Sequence, residues 1–232
     1  MNRLKKGIIG LYYLLCHPVT TLRLVWMQKE CGAGETFIDS GAFRRKYSDI
    51  CISFEVFLAQ QQLSPSLVTF HNTRTEAWSI DQYETFVLCQ IVKSSDSAVI
   101  FEIGTFKGQT TYNIKANLPD GGRIHTLDKN QCLTGNENIV PIRGDSLSFD
   151  FSPYHNKVDL MFVDGSHEYD YVLSDSEHAF RCVKEGGFIA WHDFIHDRPY
   201  VVKAVLNFCH QHNLRPFWID GTRLAVCNIS KK

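Results

Sequence analysis

The sequence predicts an α/β protein built on a doubly wound, mostly parallel, seven-stranded sheet, with an antiparallel C-terminal hairpin strand and an N-terminal helical extension. Three observations predict it. From about residue 76 onward, short β-rich apolar runs alternate with helical stretches, the order that joins parallel strands by crossover helices. The last two apolar runs flank Asp220-Gly221 closely enough for a hairpin, which turns one edge strand antiparallel. The chain of 232 residues, 44% hydrophobic and 12% aromatic, can fill one such core but hardly two.

Residues 1–75 are set apart as an N-terminal extension, a lid or an oligomerisation segment, and residues 76–232 as the sheet domain. The first part has short apolar runs, the turn-like ECGAGE at 30–35 and SPS at 64–66, with no internal repeat. Arg3, Lys5 and Lys6 precede GIIGLYYLLC, a superficial likeness to a signal peptide. No small-residue cleavage site follows, and Pro18 interrupts the run well short of a membrane span. As a helix, this stretch would put Leu4, Ile8, Leu11 and Leu15 on one face. Two readings stand: a helix packed on the core or on a second copy in a homodimer, or a shallow anchor at a membrane surface. The chain therefore reads as cytoplasmic, at most peripheral to a membrane.

In order, Ser79 is placed to cap a helix through SIDQYETFVLCQIVKS, with Gln82 completing a capping box three residues on. AVIFEIG (98–104) is a strand whose end turns directly into the helix of TFKGQTTYNIKANL. RIHTLD (123–128), NIVPIRGD (138–145) and VDLMFVDG (158–165) are strands, and YDYVLSDSEHAFRCVK (169–184) is a helix. GGFIAWHDF (186–194) is a strand introduced by two glycines. VVKAVLNFCHQH (201–212) is a helix, and RPFWID and TRLAVCNI are the hairpin strands.

With 24 basic and 25 acidic residues the formal charge is -1, which offers no general attraction to a polyanion and excludes nucleic acid as the expected partner. The eight cysteines include no C-x-x-C pair, and several lie inside apolar runs. They read as buried free thiols of a reducing compartment rather than a disulfide framework or zinc site.

An open α/β sheet binds its ligand beyond the carboxyl ends of its strands, so the residues after 103, 128, 145, 164 and 192 should ring one crevice. The first turn is Glu102-Ile103-Gly104-Thr105-Phe106-Lys107-Gly108. Its glycines let the backbone approach a ligand, and the G-x-x-x-G spacing argues against a pyrophosphate there. Asp128 closes the second strand, where a carboxylate accepts both hydroxyls of a ribose or simply ends a turn. Gly144-Asp145-Ser146 closes the third, offering an acid and a hydroxyl to an adenine edge.

Asp164 and Asp193, at neighbouring strand ends, would repel unless a proton or a cation lay between them. Their oxygen donors suit Mg²⁺, Mn²⁺ or Ca²⁺. The bland alternatives are that Asp164 caps the next helix and that His192 is a hydrogen-bonded core histidine. His167, on the same loop as Asp164, can act as a base for a hydroxyl, since an ordinary histidine pKa of about 6.5 leaves it neutral at cellular pH. Trp191 and Tyr169 either shape an acceptor pocket or pack.

E-x-G-x-x-x-G, an acid closing the second strand and G-D-S closing the third resemble a class I S-adenosylmethionine-dependent methyltransferase with a Rossmann-like sheet, over residues 76–232. The resemblance implies a donor site made of Glu102, Gly104, Thr105, Lys107, Gly108, Asp128, Asp145, Ser146 and Asp164, with Glu102 holding the amino-acid end directly or through the turn. The D-G-S-H string at 164–167 is similar to the metal-dependent O-methyltransferases of natural-product sugars, and more distantly to the catechol type. It implies Asp164 as metal ligand and catalytic group and His167 as base. That branch ends its fifth strand in two consecutive metal-side residues; here they are His192-Asp193, so the implied ligands are Asp164, His192 and Asp193, with Mg²⁺ or Mn²⁺ as the ion. The expected function is metal-assisted O-methylation of a hydroxyl on a sugar, glycan or small metabolite. Two rivals remain: a nicotinamide-dependent oxidoreductase, disfavoured by the missing third glycine and the lack of a Tyr-x-x-x-Lys pair, and a non-catalytic scaffold that binds the same donor.

Overall fold

The computed structural model describes residues 40–71, 79–95 and 98–229. The predicted N-terminal helix and the 30–35 turn lie outside them. The chain divides into two compact units, 1–46 and 47–232. The first contributes the short helix α1 (Ser40–Lys46); the rest of the described fold belongs to the second. No described helix is long and apolar enough to cross a membrane.

The second unit runs β1 (Cys51–Ile52), α2 (Phe54–Gln61), α3 (Gln82–Lys93), β2 (Val99–Ile103), α4 (Gln109–Lys115), β3 (Arg123–Asp128), β4 (Ile139–Arg143), a 3-10 turn at Ser152–Tyr154, β5 (Val158–Val163), α5 (Tyr169–Cys182), β6 (Val183–Trp191), α6 (Pro199–Gln211), β7 (Phe217–Ile219) and β8 (Ala225–Asn228). The strands form one sheet in the order β1-β7-β8-β6-β5-β2-β3-β4. All pairings are parallel except those of β8, which runs antiparallel to both β6 and β7 and so lies inside the sheet, not at the expected edge, because β7 and β1 continue beyond it. The fold class predicted from the sequence is the observed one, with an eighth strand added. That strand, β1, is two residues long and extends the edge beyond β7, with Cys51 opposite Trp218. A run so short has no alternation to read.

Two local expectations are corrected. The cap of α3 is Asp81, not Ser79: its carboxylate accepts from the Glu84 amide at 2.8 Å, and the Glu84 carboxylate accepts from the Asp81 amide at 3.0 Å. The capping box is real but shifted by two residues, which turns Glu84 inward. Strand β6 begins at Val183, not at the glycines. Val183 pairs with Val158, and the register slips before Phe188 meets Leu160. Gly186 and Gly187 form the bulge in between: Gly186 has φ +78°, and a Cβ on Gly187 would stand 2.8 Å from the Asp159 carbonyl.

The core forms where α2 and α3 cover the sheet. Phe57, Val87, Leu88, Ile91, Ile100, Phe162 and Val226 are wholly or almost wholly buried together. The central strands β2 and β5 are buried almost throughout and apolar except for one acid each, Glu102 and Asp159, as strands covered on both faces tend to be. Cys89, Cys182, Cys209 and Cys227 are buried free thiols.

Candidate active site

Between β2 and β5 the strand order reverses direction, and a cavity of about 880 Å³ opens there beyond the carboxyl ends. This size lies inside the range of roughly 300–1,000 Å³ typical of small-molecule sites. Its walls come from all five strand ends named above: Gly104, Asp128, Ser146, Asp164 with His167, and His192 with Asp193.

The two glycines of the first turn answer to the fold before any ligand. Gly104 has φ +98°, and a Cβ on it would sit 2.1 Å from the Asp164 carbonyl oxygen, because β5 passes directly beside the turn. Gly108, at φ +80°, opens α4, and a Cβ there would meet the Leu133 side chain at 2.7 Å. Asp128 locks the same turn. One carboxylate oxygen accepts from the Thr105 and Phe106 amides at 3.0 and 2.9 Å, the other from the Asn130 amide at 2.7 Å.

Glu102 and Thr105 lie beneath the crevice rather than on its wall. Glu102 is fully buried; its Oε2 accepts from the Thr111 and Thr126 hydroxyls while Oε1 has no partner. Burial pushes its pKa up to about 8, so the free protein holds it protonated at neutral pH. The Thr105 hydroxyl is taken by Thr126 and Gln131. Lys107 lines the mouth beside Phe106. Asp145 is engaged from outside: the Tyr171 hydroxyl donates to it at 3.1 Å, and the Lys129 ammonium lies 3.1 Å away. Ser146 reaches the wall. Lys129 and Tyr171 both line the crevice, and neither carried a readable signal in the sequence.

At the other end, Asp164, His167 and Asp193 each offer a ligand atom, and these atoms lie within 4.8 Å of one another. His167 Nε2 stands 2.7 Å from Asp193 Oδ2. Asp193, at φ +57°, is a non-glycine residue in left-handed backbone, strain of the kind that collects at functional sites. Burial alone would raise its pKa, but the His167 hydrogen bond and the charges of His192 and Arg198 hold it well below the usual carboxylate range. Arg198 Nε and Arg223 Nη1 approach it at 3.6 and 3.4 Å.

His192 departs from expectation. It is nearly buried, with Nδ1 3.1 Å from Asp164 Oδ1 and Nε2 3.2 Å from Glu84 Oε2. Burial would lower its pKa, yet Asp164 and Glu84 together raise it to about 10, so both ring nitrogens carry protons. The predicted ligand set Asp164, His192 and Asp193 does come together, with His192 Nδ1 3.1 and 3.6 Å from the two acids, but the group whose ligand atoms converge is Asp164, His167 and Asp193. His192 is the hydrogen-bonded histidine of the bland reading. Asp164 caps no helix, since the N-cap of α5 is Glu168 and no side chain caps it. Trp191 is fully buried, its indole donating to the Ser176 hydroxyl, so it packs rather than shapes a pocket.

A divalent ion held by Asp164, His167 and Asp193 would compete with the chain's own cations for these acids. Both oxygens of Asp193 face cationic or N–H groups, and one oxygen of Asp164 is held by an imidazolium. Sequence reasoning missed Glu84, Arg198 and Arg223. Glu84 showed itself only as an acid near a helix start, 108 residues from the histidine it holds.

A family model described as a methyltransferase domain matches residues 101–194. That stretch carries β2 to β6 and every strand end of the crevice. No curated protein matches. Solved structures do. An O-methyltransferase of Streptomyces achromogenes involved in tomaymycin synthesis aligns at 13% identity and TM-score 0.53, covering 76% of this chain and 96% of its own. An O-methyltransferase of Bacillus cereus, in complex with S-adenosylhomocysteine, aligns at 15% and 0.52, covering 81% and 97%. A putative caffeoyl-CoA O-methyltransferase of Staphylococcus aureus aligns at 13% and 0.54, covering 83% and 99%. The fold is the one these O-methyltransferase structures share, and the methyltransferase-domain model matches its central part. Gly104 and Asp128 line the crevice, and the orphaned Glu102 Oε1 lies beneath the turn.

Proposed function

We propose that the protein transfers the methyl group of S-adenosylmethionine to a hydroxyl of a small acceptor, a sugar, glycan unit or related metabolite. The observation that carries this reading is the His167–Asp193 pair opening onto the same crevice as the glycine turn. When bound, the donor supplies an electrophilic sulfonium methyl. Gly104, Lys107, Asp128 and Ser146 are the residues that would hold and orient it, and Asp164 lies nearest the boundary with the acceptor side.

An alcohol attacks such a carbon poorly until its proton leaves. His167 donating through Nε2 to Asp193 has its tautomer set, which leaves Nδ1 as the basic nitrogen. His167 is half-exposed at the crevice and so reachable by an acceptor hydroxyl. Asp193 orients the ring and stabilises the imidazolium that forms. The oxygen attacks the methyl carbon as its carbon–sulfur bond breaks, giving a methyl ether, S-adenosylhomocysteine and a protonated His167. No step runs through a metal.

Calorimetry with S-adenosylhomocysteine and NAD, followed by transfer of labelled methyl to a panel of polyols, tests the reading. Expected are affinity for the adenosyl ligand alone and methylation that His167→Ala lowers by about 10²–10⁴-fold with donor affinity kept. No affinity for either the donor or its demethylated product overturns it.

A further inference from the structure

We propose that Arg223, with Arg198 beside it, binds an acidic group of the acceptor, so that the methylated hydroxyl belongs to a molecule carrying a carboxylate or a phosphate. The inference deepens the proposed transfer and rests on that reading for calling the bound molecule an acceptor. The anion site itself stands on the geometry of the two guanidiniums.

Both arginines line the crevice, and both meet at Asp193. Arg198 Nε stands 3.6 Å from Asp193 Oδ2, the oxygen that accepts from His167 Nε2 at 2.7 Å. Arg223 Nη1 stands 3.4 Å from the other oxygen, Oδ1. One carboxylate thus lies between the proposed base and two guanidiniums. An anion on the guanidiniums and a hydroxyl at His167 then fall within the span of one small molecule. The other acids of this end are engaged elsewhere, since Asp164 and Glu84 each face a ring nitrogen of His192.

The guanidiniums keep unused donors. Arginine carries its N–H groups in a planar fork that matches the paired oxygens of a carboxylate or a phosphate. Arg198 donates through Nη1 to the Asp197 carbonyl at 3.2 Å and lies 3.4 Å from the Asp197 carboxylate, while its buried Nε has no hydrogen-bond partner. Arg223 uses Nη1 alone, on Asp193; its Nε and Nη2 make no hydrogen bond among the described residues. Its side chain is 52% exposed and so open to a ligand. Its backbone is fixed: the amide donates to Glu84 Oε1 at 2.7 Å, and the carbonyl accepts from the Phe194 amide at 2.9 Å. The side chain therefore starts from a held point next to the loop that carries Asp193. A neutral hydroxyl on these donors would satisfy an N–H and leave the charge unanswered; an acid does both.

The test is a titration of the whole purified protein with inorganic phosphate and, separately, with acetate, at constant ionic strength and with chloride as control. The readout is proton–nitrogen NMR of the arginine Nε groups, with and without S-adenosylhomocysteine, assigned from Arg223→Gln and Arg198→Lys. At least one of the two anions should shift the Arg223 signal to saturation, and chloride should not. In folded Arg223→Gln the affinity, read on the Arg198 signal, should fall about tenfold or more. Saturation by phosphate alone points to a phosphorylated acceptor, by acetate alone to a carboxylic acid, and by both to an acidic acceptor of either kind. No saturable shift with either anion, an equal response to chloride, or an affinity unchanged in Arg223→Gln overturns the inference. Should Arg223→Gln fail to fold, the wild-type titration against chloride decides. Absence of affinity for S-adenosylhomocysteine counts against the proposed transfer, while the titration without it still decides the anion site.

Discussion

Replacing Glu102 by glutamine changes almost nothing in shape and removes one proton equilibrium. In the folded protein the carboxyl accepts two threonine hydroxyls at Oε2, leaves Oε1 without a partner and is fully buried. Burial, the largest cause, lifts its pKa from 4.5 to about 8. Between those two values the folded chain keeps a proton that the unfolded chain has released. Folding stability contributed by this group is therefore present below the unfolded value and declines as pH rises toward 8, by up to about 1.4 kcal/mol per pH unit and on the order of a few kcal/mol in all. Complete burial leaves no solvent screening to discount. The glutamine carbonyl can take the same two hydroxyls and puts its amide where Oε1 stood, with no charge at any pH. Urea denaturation of both proteins at pH 5 and pH 8, at fixed ionic strength, isolates this contribution, because the other titrating groups are common to both chains. The variant should gain relative to wild type by a few kcal/mol between the two pH values. A difference that does not move with pH would refute the reasoning.

Gly104→Ala should fail through geometry: a Cβ 2.1 Å from the Asp164 carbonyl at φ +98° must push β5 away from β2. The expected loss exceeds about 3 kcal/mol by thermal or urea unfolding, and stability close to wild type would show that the turn can relax. His192 has the opposite sign of pH dependence from an acid held in an ion pair. Its raised pKa stabilises the fold fully below 6.5 and that contribution is lost as pH passes through about 10. Thermal unfolding from pH 7 to 11 should therefore fall more steeply for wild type than for His192→Gln, which should itself be less stable at pH 7 by about 3–5 kcal/mol because two buried acids lose their partner. Parallel profiles would contradict the assignment.

Much of this protein was legible without coordinates because its information is local. Short apolar runs mark β2, β3, β4 and β5 to within two residues, since a strand covered on both faces has little choice of side chain. Their ends point one way in a parallel sheet, so Asp128, Ser146, Asp164 and Asp193 could be placed around one crevice before any distance was known. What required the tertiary structure was the assignment of partners. Glu84 and His192 meet across 108 residues, and no spacing rule encodes such a meeting. Arg198 and Arg223 come to Asp193 from a loop before α6 and a turn before β8. Gly104 looked like a glycine required by a ligand, but it is first required by the backbone of Asp164. The sequence by itself determined which groups stand at the strand tips; three-dimensional packing alone decided which of them neutralise one another, because charge, burial and proton affinity depend on distances that chain order does not contain.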